Sequence, residues 1–462
     1  MSNNPFYKSI KELRNIYEKK EASVSEISNA FIQRIKNLNP KINAYLEVFE
    51  KESNSDAKKA DSYLNNGNKD ILTGIIIGLK DLVDVKGKIT SAGSKILEKN
   101  IAKSNSKITN DFIEQKSVIL GKTNLVEFAF GTLGINTNTP TCRNPWDLEK
   151  VPGGSSSGSA AAVSAGLCTF AIGTDTGGSV RMPASLCGIT GFKPSYGIVS
   201  RRGVLDLSWS MDHVGPMARS AEDCLEAMKV ISGFDIGDKY SQNIKSNFSK
   251  INITNREEIC IGVPKNYFFD DIDPDIKKAI LSAANKFDNL GYKVEEIEIP
   301  FVEEGRNINV GVLLPEAISI HKTYLNKYDK YTKTVLNRLL GGLGVTADEY
   351  LAASRKMSKF NFEMSKLMKK YNILLTPTVP VKTPKIKDSE SPNTPEANLM
   401  GKFTGVFNLT GQPSISVPAG LSKDKMPIGL MLSGRMLEDN DVLNVAIDWQ
   451  KETEFHKLLP DI

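Results

Sequence analysis

Residues 151–188 read VPGGSSSGSAAAVSAGLCTFAIGTDTGGSVRMPASLCG and hold two glycine–serine loops, each placed where a helix can begin. The apolar segment 167–172 runs directly into the second loop, which predicts a buried strand before it. Gly177 and Gly178 permit a tight turn, after which successive backbone N–H groups point into one concavity. Such a group of donors suits a developing oxyanion, and Ser179 at its edge offers a hydroxyl.

Glycine–serine loops also bind phosphate or simply end helices and strands, so composition leaves these alternatives open beside catalysis. A P-loop ending at 121–123 is excluded, because the position that requires the earlier glycine holds Lys116. Gly154–Gly158 formally matches GxSxG, with Ser156 as the nucleophile. That motif needs a strand directly before it, and the preceding segment has a proline and little β character. We therefore interpret this match as coincidence.

A serine nucleophile needs a base, and the three histidines, His213, His321 and His456, are isolated in the sequence. A desolvated lysine is the other candidate, because its neutral form accepts a proton. Lys80 directly follows the apolar stretch ILTGIIIGL at 71–79, which predicts a buried strand able to carry a lysine toward the core. A lysine at a strand end is more often exposed, so spacing alone leaves its role open.

The rest of the chain predicts alternating strands and helices in one large α/β body. Further strands are predicted at 117–120, 260–263, 292–299 and within 413–433, and helices at 23–39, 274–290 and across much of 302–372. The first helix starts at the capping box Ser23–Glu26 and is expected to end at Asn39–Pro40. Polar residues at about 234–258 indicate a loop or a subdomain boundary, and the five prolines within 376–398 indicate a long irregular loop.

Composition excludes several classes of protein. The chain has 462 residues, of which 40% are apolar and 24% charged, with a net charge of +5 and no long run of one sign, so a nucleic-acid-binding stripe is not predicted. The longest apolar stretch is about half of what a membrane span needs. Five scattered cysteines without a CxxC pair, and an N-terminus without an apolar signal region, predict a cytoplasmic protein with reduced thiols and no zinc site.

Seven collinear segments strongly resemble the amidase signature family. They are GIIIGLKD around Lys80, GKTNLVEFAFG at 121–131, NPWD at 144–147, PGGSSSGSAAAV at 152–163, GTDTGGSVRMPASLCGITGFKPSYG at 173–197, DHVGPMARSAEDC at 212–224 and NLTGQPSISVPAG at 408–420. The resemblance implies a single α/β domain over 1–462, with a large twisted mixed sheet flanked by helices on both faces. It allows a subdomain at about 235–400 within that fold, and it implies neither cofactor nor metal.

The resemblance also implies the catalytic residues. Ser179 would be the nucleophile, Lys80 the base, and Ser155 the bridging serine, preceded by a cis peptide bond. The backbone N–H groups of Thr176, Gly177, Gly178 and Ser179 would form the oxyanion hole. The reaction implied is the cleavage of a carboxylic amide through an acyl-enzyme, with ammonia or an amine as the leaving group.

Residues near this site are expected to be structural. Arg181 and Asp175 flank the nucleophile loop and are predicted to pair with each other. His213 is expected in a structural turn. Phe128 and Phe130 are expected to fill the core rather than line an acyl pocket.

Two functions compete within the family. The first is a stand-alone amidohydrolase that acts on a small-molecule amide, needs no membrane and allows a homodimer. The second is the glutaminase subunit of a tRNA-dependent amidotransferase, which works with partner subunits and tRNA. The segments FNLTGQPSISVPAG at 407–420 and VLNRLLGGLGVTADEYLAASRK at 335–356 favour the first. A scaffold without activity is disfavoured, because all three triad positions are present. Substrate choice is expected in the loops at 125–145, 300–345 and 376–400.

Overall fold

The computed structural model describes residues 4–244, 248, 255–389 and 394–462. The strands within these ranges are β1 Tyr45–Val48, β2 Ile76–Lys80, β3 Val118–Thr123, β4 Phe170–Asp175, β5 Thr190–Lys193, β6 His213–Ala218, β7 Cys260–Pro264, β8 Lys293–Ile297, β9 Ile373–Pro377, β10 Ser414–Leu421 and β11 Pro427–Gly434. The α-helices are α1 Ile10–Glu18, α2 Val24–Ile42, α3 Glu50–Asn65, α4 Lys107–Glu114, α5 Ser157–Ser164, α6 Arg181–Cys187, α7 Ala221–Ile231, α8 Pro274–Asn289, α9 Gly305–His321, α10 Lys333–Leu343, α11 Ala347–Leu367, α12 Pro395–Leu399, α13 Val406–Leu409 and α14 Asp439–Thr453.

All of these strands join one sheet in the order β1-β3-β2-β4-β6-β5-β10-β11-β9-β7-β8. β2 is parallel to β3 and β4, and β7 is parallel to β8 and β9, while the other pairs are antiparallel. The predicted mixed α/β sheet is therefore confirmed. Because β7, β8 and β9 extend this sheet, the region predicted to allow a subdomain contributes strands to the common core. The subdomain itself stays a prediction, and parts of the 234–258 and 376–398 segments lie outside the described residues.

Helices pack on both sides of the sheet. α6 and α14 both contact β10 and β11, with α5 beside α6 and α7 beside α14. β2 and β4 are buried along their whole length, because covered parallel strands have no solvent-facing side. Since they run parallel, their carboxyl ends lie at the same edge of the sheet, where the two glycine–serine loops also lie.

Predicted boundaries differ from the structure at α2, β2 and β4. The strand predicted at 167–172 is β4 Phe170–Asp175, three residues closer to the second glycine–serine loop. α2 continues through Pro40 to Ile42 and ends at Asn43, which adopts a left-handed conformation with φ of 56°. A proline in the last turn removes only one backbone hydrogen bond, and burial of Ile42 favours the longer helix. β2 begins at Ile76 rather than Ile71, because Gly74, with φ of 73°, ends a turn there. Lys80 is therefore part of the strand and not the residue after it.

In the described part of the chain, no helix combines the length and apolarity needed to span a membrane.

Candidate active site

Lys80 is the centre of a buried hydrogen-bond cluster at the carboxyl end of β2. Its side chain is fully buried, and Nζ donates to Ser155 Oγ at 2.8 Å, Ser156 Oγ at 2.9 Å and Thr174 Oγ1 at 2.7 Å. A lysine at a strand end is usually exposed, and this expectation is wrong for Lys80. Because an ammonium group can donate three hydrogen bonds, these three hydroxyls accept all of them.

Burial decides the charge of this lysine. Desolvation lowers the pKa of Lys80 to about 7, while the carboxylates of Asp175 and Asp212 act in the opposite direction. A lysine with an ordinary pKa is almost entirely protonated at neutral pH. Lys80 therefore has a large neutral fraction near pH 7 and can accept a proton from a neighbouring hydroxyl.

Ser155 is held beside Lys80 by contacts of its backbone. The Gly154–Ser155 peptide bond is cis, as the family resemblance implies. Gly154 N donates to Thr132 O at 2.7 Å, and Val126 N donates to Ser155 O at 3.1 Å. The segment 126–132 thus fixes the backbone of Ser155, and its hydroxyl lies within hydrogen-bond distance of Lys80.

Ser179 lies in the loop between β4 and α6. Its side chain is almost fully buried, and its backbone oxygen accepts from Ser156 N at 3.3 Å. The two glycine–serine loops are therefore in contact, and the structure brings the segments of Lys80, Ser155 and Ser179 together at one edge of the sheet.

The turn before Ser179 requires glycine at 178. Gly178 has φ of 123°, and a Cβ atom there would lie 2.1 Å from Thr404 Oγ1. Thr404 Oγ1 donates to Gly177 O at 2.6 Å, which fixes the peptide plane between the two glycines. Gly178 N donates to Asp175 Oδ1 at 2.8 Å. This N–H is thus engaged by a carboxylate, which corrects its expected place in the oxyanion hole and leaves Thr176, Gly177 and Ser179 as the candidate donors.

Asp175 and Arg181 form the predicted pair, at 2.9 Å between Arg181 Nη2 and Asp175 Oδ1, and both side chains are fully buried. Burial opposes ionisation of Asp175, but the Arg181 guanidinium, Lys193 and the Asn408 amide together outweigh it and hold the pKa of this carboxyl well below its usual range. Asn408 completes the cluster, donating to Asp175 Oδ1 at 2.8 Å and accepting from Arg181 Nη2 at 2.7 Å. The charge of Asp175 is therefore fixed, and its oxygens hold the nucleophile loop.

Three neighbouring aromatic residues have the structural character that the sequence predicts, with one difference. Phe128 and Phe130 are buried in a hydrophobic cluster, which confirms their expected place in the core. His213 is the first residue of β6 rather than part of a turn, and its Nδ1 lies 2.7 Å from Met211 O. Burial lowers the pKa of His213 well below its usual value, so the ring is neutral at physiological pH.

Comparison with known proteins identifies the family. The family model described as Amidase matches residues 26–443. The chain belongs to the amidase family. It is 35% identical to the A subunit of glutamyl-tRNA(Gln) amidotransferase from Clostridium botulinum (strain Eklund 17B / Type B), with 98% of each chain covered. Among solved structures, it is similar to the A subunit of glutamyl-tRNA(Gln) amidotransferase from Thermotoga maritima, with a TM-score of 0.83, 32% identity and coverage of 98% and 96% of the two chains. A bacterial aryl acylamidase of the amidase signature family gives a TM-score of 0.88 at 25% identity over 98% of each chain.

This amidase has a cavity of about 450 Å³ beside the cluster. Val126 and Thr132 line it, and they are the residues whose backbones hold Ser155 and Gly154. Its charged lining residues are Lys95, Asp329, Lys330, Lys333 and Arg338, four cations against one carboxylate. All three predicted substrate loops, 125–145, 300–345 and 376–400, contribute lining residues to the cavity. Its charge favours an anionic ligand.

Within the described ranges, no group of three or more histidine, cysteine, aspartate or glutamate side chains is placed to hold a metal ion. The expectation that the amidase needs no metal or cofactor stays a prediction.

The sequence predicts no role at this site for four residues that hold it together. They are Thr174, Ser156, Thr404 and Asn408, and all lie in or near the quoted segments. For Thr174, the sequence does offer a signal, which is its position three residues before Gly177 at the glycine turn. Their side-chain contacts follow from the fold rather than from local sequence.

Proposed function

We propose that this amidase hydrolyses the side-chain amide of glutamine through an acyl-enzyme on Ser179 and serves as the glutaminase subunit of a tRNA-dependent amidotransferase. The observation that carries the hydrolytic activity is the 2.8 Å hydrogen bond between the fully buried Lys80 Nζ and Ser155 Oγ. Similarity over 98% of each chain to the A subunit of an amidotransferase supports the assignment to such a complex. Similarity along the whole chain outweighs the two peripheral segments that favour a stand-alone enzyme.

The proposed reaction begins with neutral Lys80. It takes a proton from Ser155 as Ser155 takes one from Ser179, and Ser179 Oγ attacks the amide carbon. The N–H groups of Thr176, Gly177 and Ser179 stabilise the oxyanion, each well-placed donor contributing about 3 kcal/mol. The C–N bond then breaks as Ser155 returns a proton to the leaving nitrogen, and ammonia departs. Water, activated by the same relay, hydrolyses the ester and releases glutamate.

The charge of the cavity supports an amino-acid substrate. Glutamine carries an α-carboxylate beyond its side-chain amide, and four cations line the cavity whose residues Val126 and Thr132 contact the backbone of Ser155 and Gly154. Arg338 is half-buried there, and its Nη1 donates to Phe130 O at 2.9 Å. Its planar guanidinium is suited to a carboxylate.

The first test compares the purified chain alone with the same chain co-purified with amidotransferase partner subunits from its own genome. Ammonia release from glutamine is measured for both, together with release from simple aliphatic amides. We expect glutamine hydrolysis that increases when the partners are present. Efficient hydrolysis of simple amides by the chain alone, without hydrolysis of glutamine in either sample, would contradict the proposal and favour the stand-alone enzyme.

Replacing Arg338 with methionine should raise the KM for glutamine about 10- to 100-fold, because a hydrogen bond to a charged group contributes about 1.5–3 kcal/mol. The kcat should change much less. Butyramide, which lacks a carboxylate, serves as the control substrate, and its kcat/KM should be unaffected. An equal loss with both substrates would show that Arg338 only supports the fold.

A further inference from the structure

Strand pairing places a buried carboxylate opposite the residue that starts the nucleophile loop. β4 and β6 are antiparallel, with Asp175 opposite His213. Thr176 directly follows Asp175, and Asp212 directly precedes His213. Thr176 Oγ1 donates to Asp212 Oδ1 at 2.6 Å, and both side chains are buried.

Two backbone N–H groups hold the other oxygen of the Asp212 carboxylate. Its Oδ2 accepts from Leu207 N at 2.8 Å and from Ser208 N at 3.0 Å. Ser208 Oγ donates in turn to Glu316 Oε2 at 2.6 Å, and Glu316 is a buried residue of α9. Asp212 is therefore a fixed acceptor, and its hydrogen bond restrains the rotamer of Thr176.

We propose that Asp212 is a positioning residue of the reaction, which acts through the Thr176 hydroxyl to set the direction of the Thr176 and Gly177 N–H groups at the oxyanion. This inference rests on the proposed function. Thr404 and Asp175 hold the Gly177–Gly178 peptide, whereas the Thr176 side chain restrains the residue before it, whose flanking peptides carry the Thr176 and Gly177 N–H groups. A donor that is displaced from the oxyanion loses most of its contribution in the transition state.

The test uses a substitution that removes one hydroxyl and keeps the side-chain shape. Thr176→Val should lower kcat about 10- to 100-fold, the range expected for losing a hydrogen bond to a charged group, while KM stays within about twofold. Thr176→Ser keeps the hydroxyl and should restore most of the activity. Thr169→Val is the matched control, because Thr169 Oγ1 is buried next to β4 and has no hydrogen-bond partner among the described residues. It should leave kcat within about twofold of the wild type.

The pH profile distinguishes positioning from an effect on the base. The charged groups that face Lys80 are Asp175 and Asp212, while Arg201 faces Asp212, and Arg181 and Lys193 face Asp175. Thr176→Val removes a hydrogen bond that lowers the pKa of Asp212, which burial raises to about 6, and Asp212 in turn raises the pKa of Lys80. The two enzymes are therefore compared on the alkaline plateau of the profile, where Asp212 is ionised and Lys80 is neutral, and kcat should fall there by the same factor at every pH. A loss of kcat that disappears on this plateau would mean that the residue acts only through the pKa of Lys80, which would overturn the proposal.

A double variant tests the link between the two residues. Asp212→Asn should lower kcat at least as much as Thr176→Val, and the double variant should be no worse than Asp212→Asn alone. Additive losses, or a Thr176→Val enzyme as active as the wild type, would overturn the inference. A wild-type chain without amide hydrolysis would instead contradict the proposed function, so the two failures are distinguishable.

Discussion

Replacing Ser179 with alanine should abolish ammonia release from glutamine, with kcat falling at least about 10⁴-fold, because the acyl-enzyme has no other oxygen on which to form. Ser155 and Ser156 lie close by, but both hydroxyls accept from Lys80 Nζ, at 2.8 and 2.9 Å. Ser179 alone of these serines lies at the end of the glycine turn, next to the candidate oxyanion donors. The fold should be unaffected, since the change removes one hydroxyl from a loop.

The measurement pairs turnover with detection of the covalent intermediate. The acyl-enzyme is trapped by acid quenching and detected by intact mass, and it should be present in the wild type and absent from Ser179→Ala. Ser185→Ala is the matched control, since Ser185 lies on the following helix α6 and its buried Oγ has no partner among the described residues. Retained turnover in Ser179→Ala, or an adduct of the same mass, would remove Ser179 from its proposed role.

The central strands and the glycine turn could be predicted from local sequence. The apolar run before Lys80 predicts a buried strand, and Gly177–Gly178 predicts a turn at the end of the next one, because both depend on residues adjacent in the chain. The ion pair between Asp175 and Arg181 could be predicted for the same reason, since the two residues flank one short loop. The place of Pro40 inside α2 could not be predicted, because the burial of Ile42 determines where that helix ends.

Contacts between distant segments could not be predicted in this way. The hydrogen bond from Thr176 to Asp212 depends on the antiparallel register of β4 and β6, and sequence patterns do not specify which strands pair. Asn408 reaches Asp175 across 233 residues of chain. The burial of Lys80 also depended on this packing, since the same apolar run would be compatible with a lysine at the surface.

Replacing Lys80 with methionine should reduce kcat at least about 10³-fold, near the upper part of the range for general acid–base catalysis, because methionine fills a similar volume but cannot accept a proton. The protein should remain folded, since the variant no longer buries an amine. Circular dichroism and a thermal melt check this before the kinetics are measured. Lys58→Met, which removes an exposed lysine from α3, is the control and should be as active as the wild type.

The pH dependence of the wild type tests the same residue without altering it. Below its pKa Lys80 is an ammonium and cannot accept the proton of Ser155, whereas above it the amine is neutral. With a pKa lowered by burial to about 7, kcat/KM should rise with pH, reach half of its plateau near pH 7 and change little above about pH 8. An ordinary lysine would instead keep the rate rising to about pH 10. A profile that is flat from pH 6 to 9, or that still rises tenfold per unit above pH 8, would contradict the assignment of Lys80 as the base, because neither fits an amine that loses its proton near neutrality.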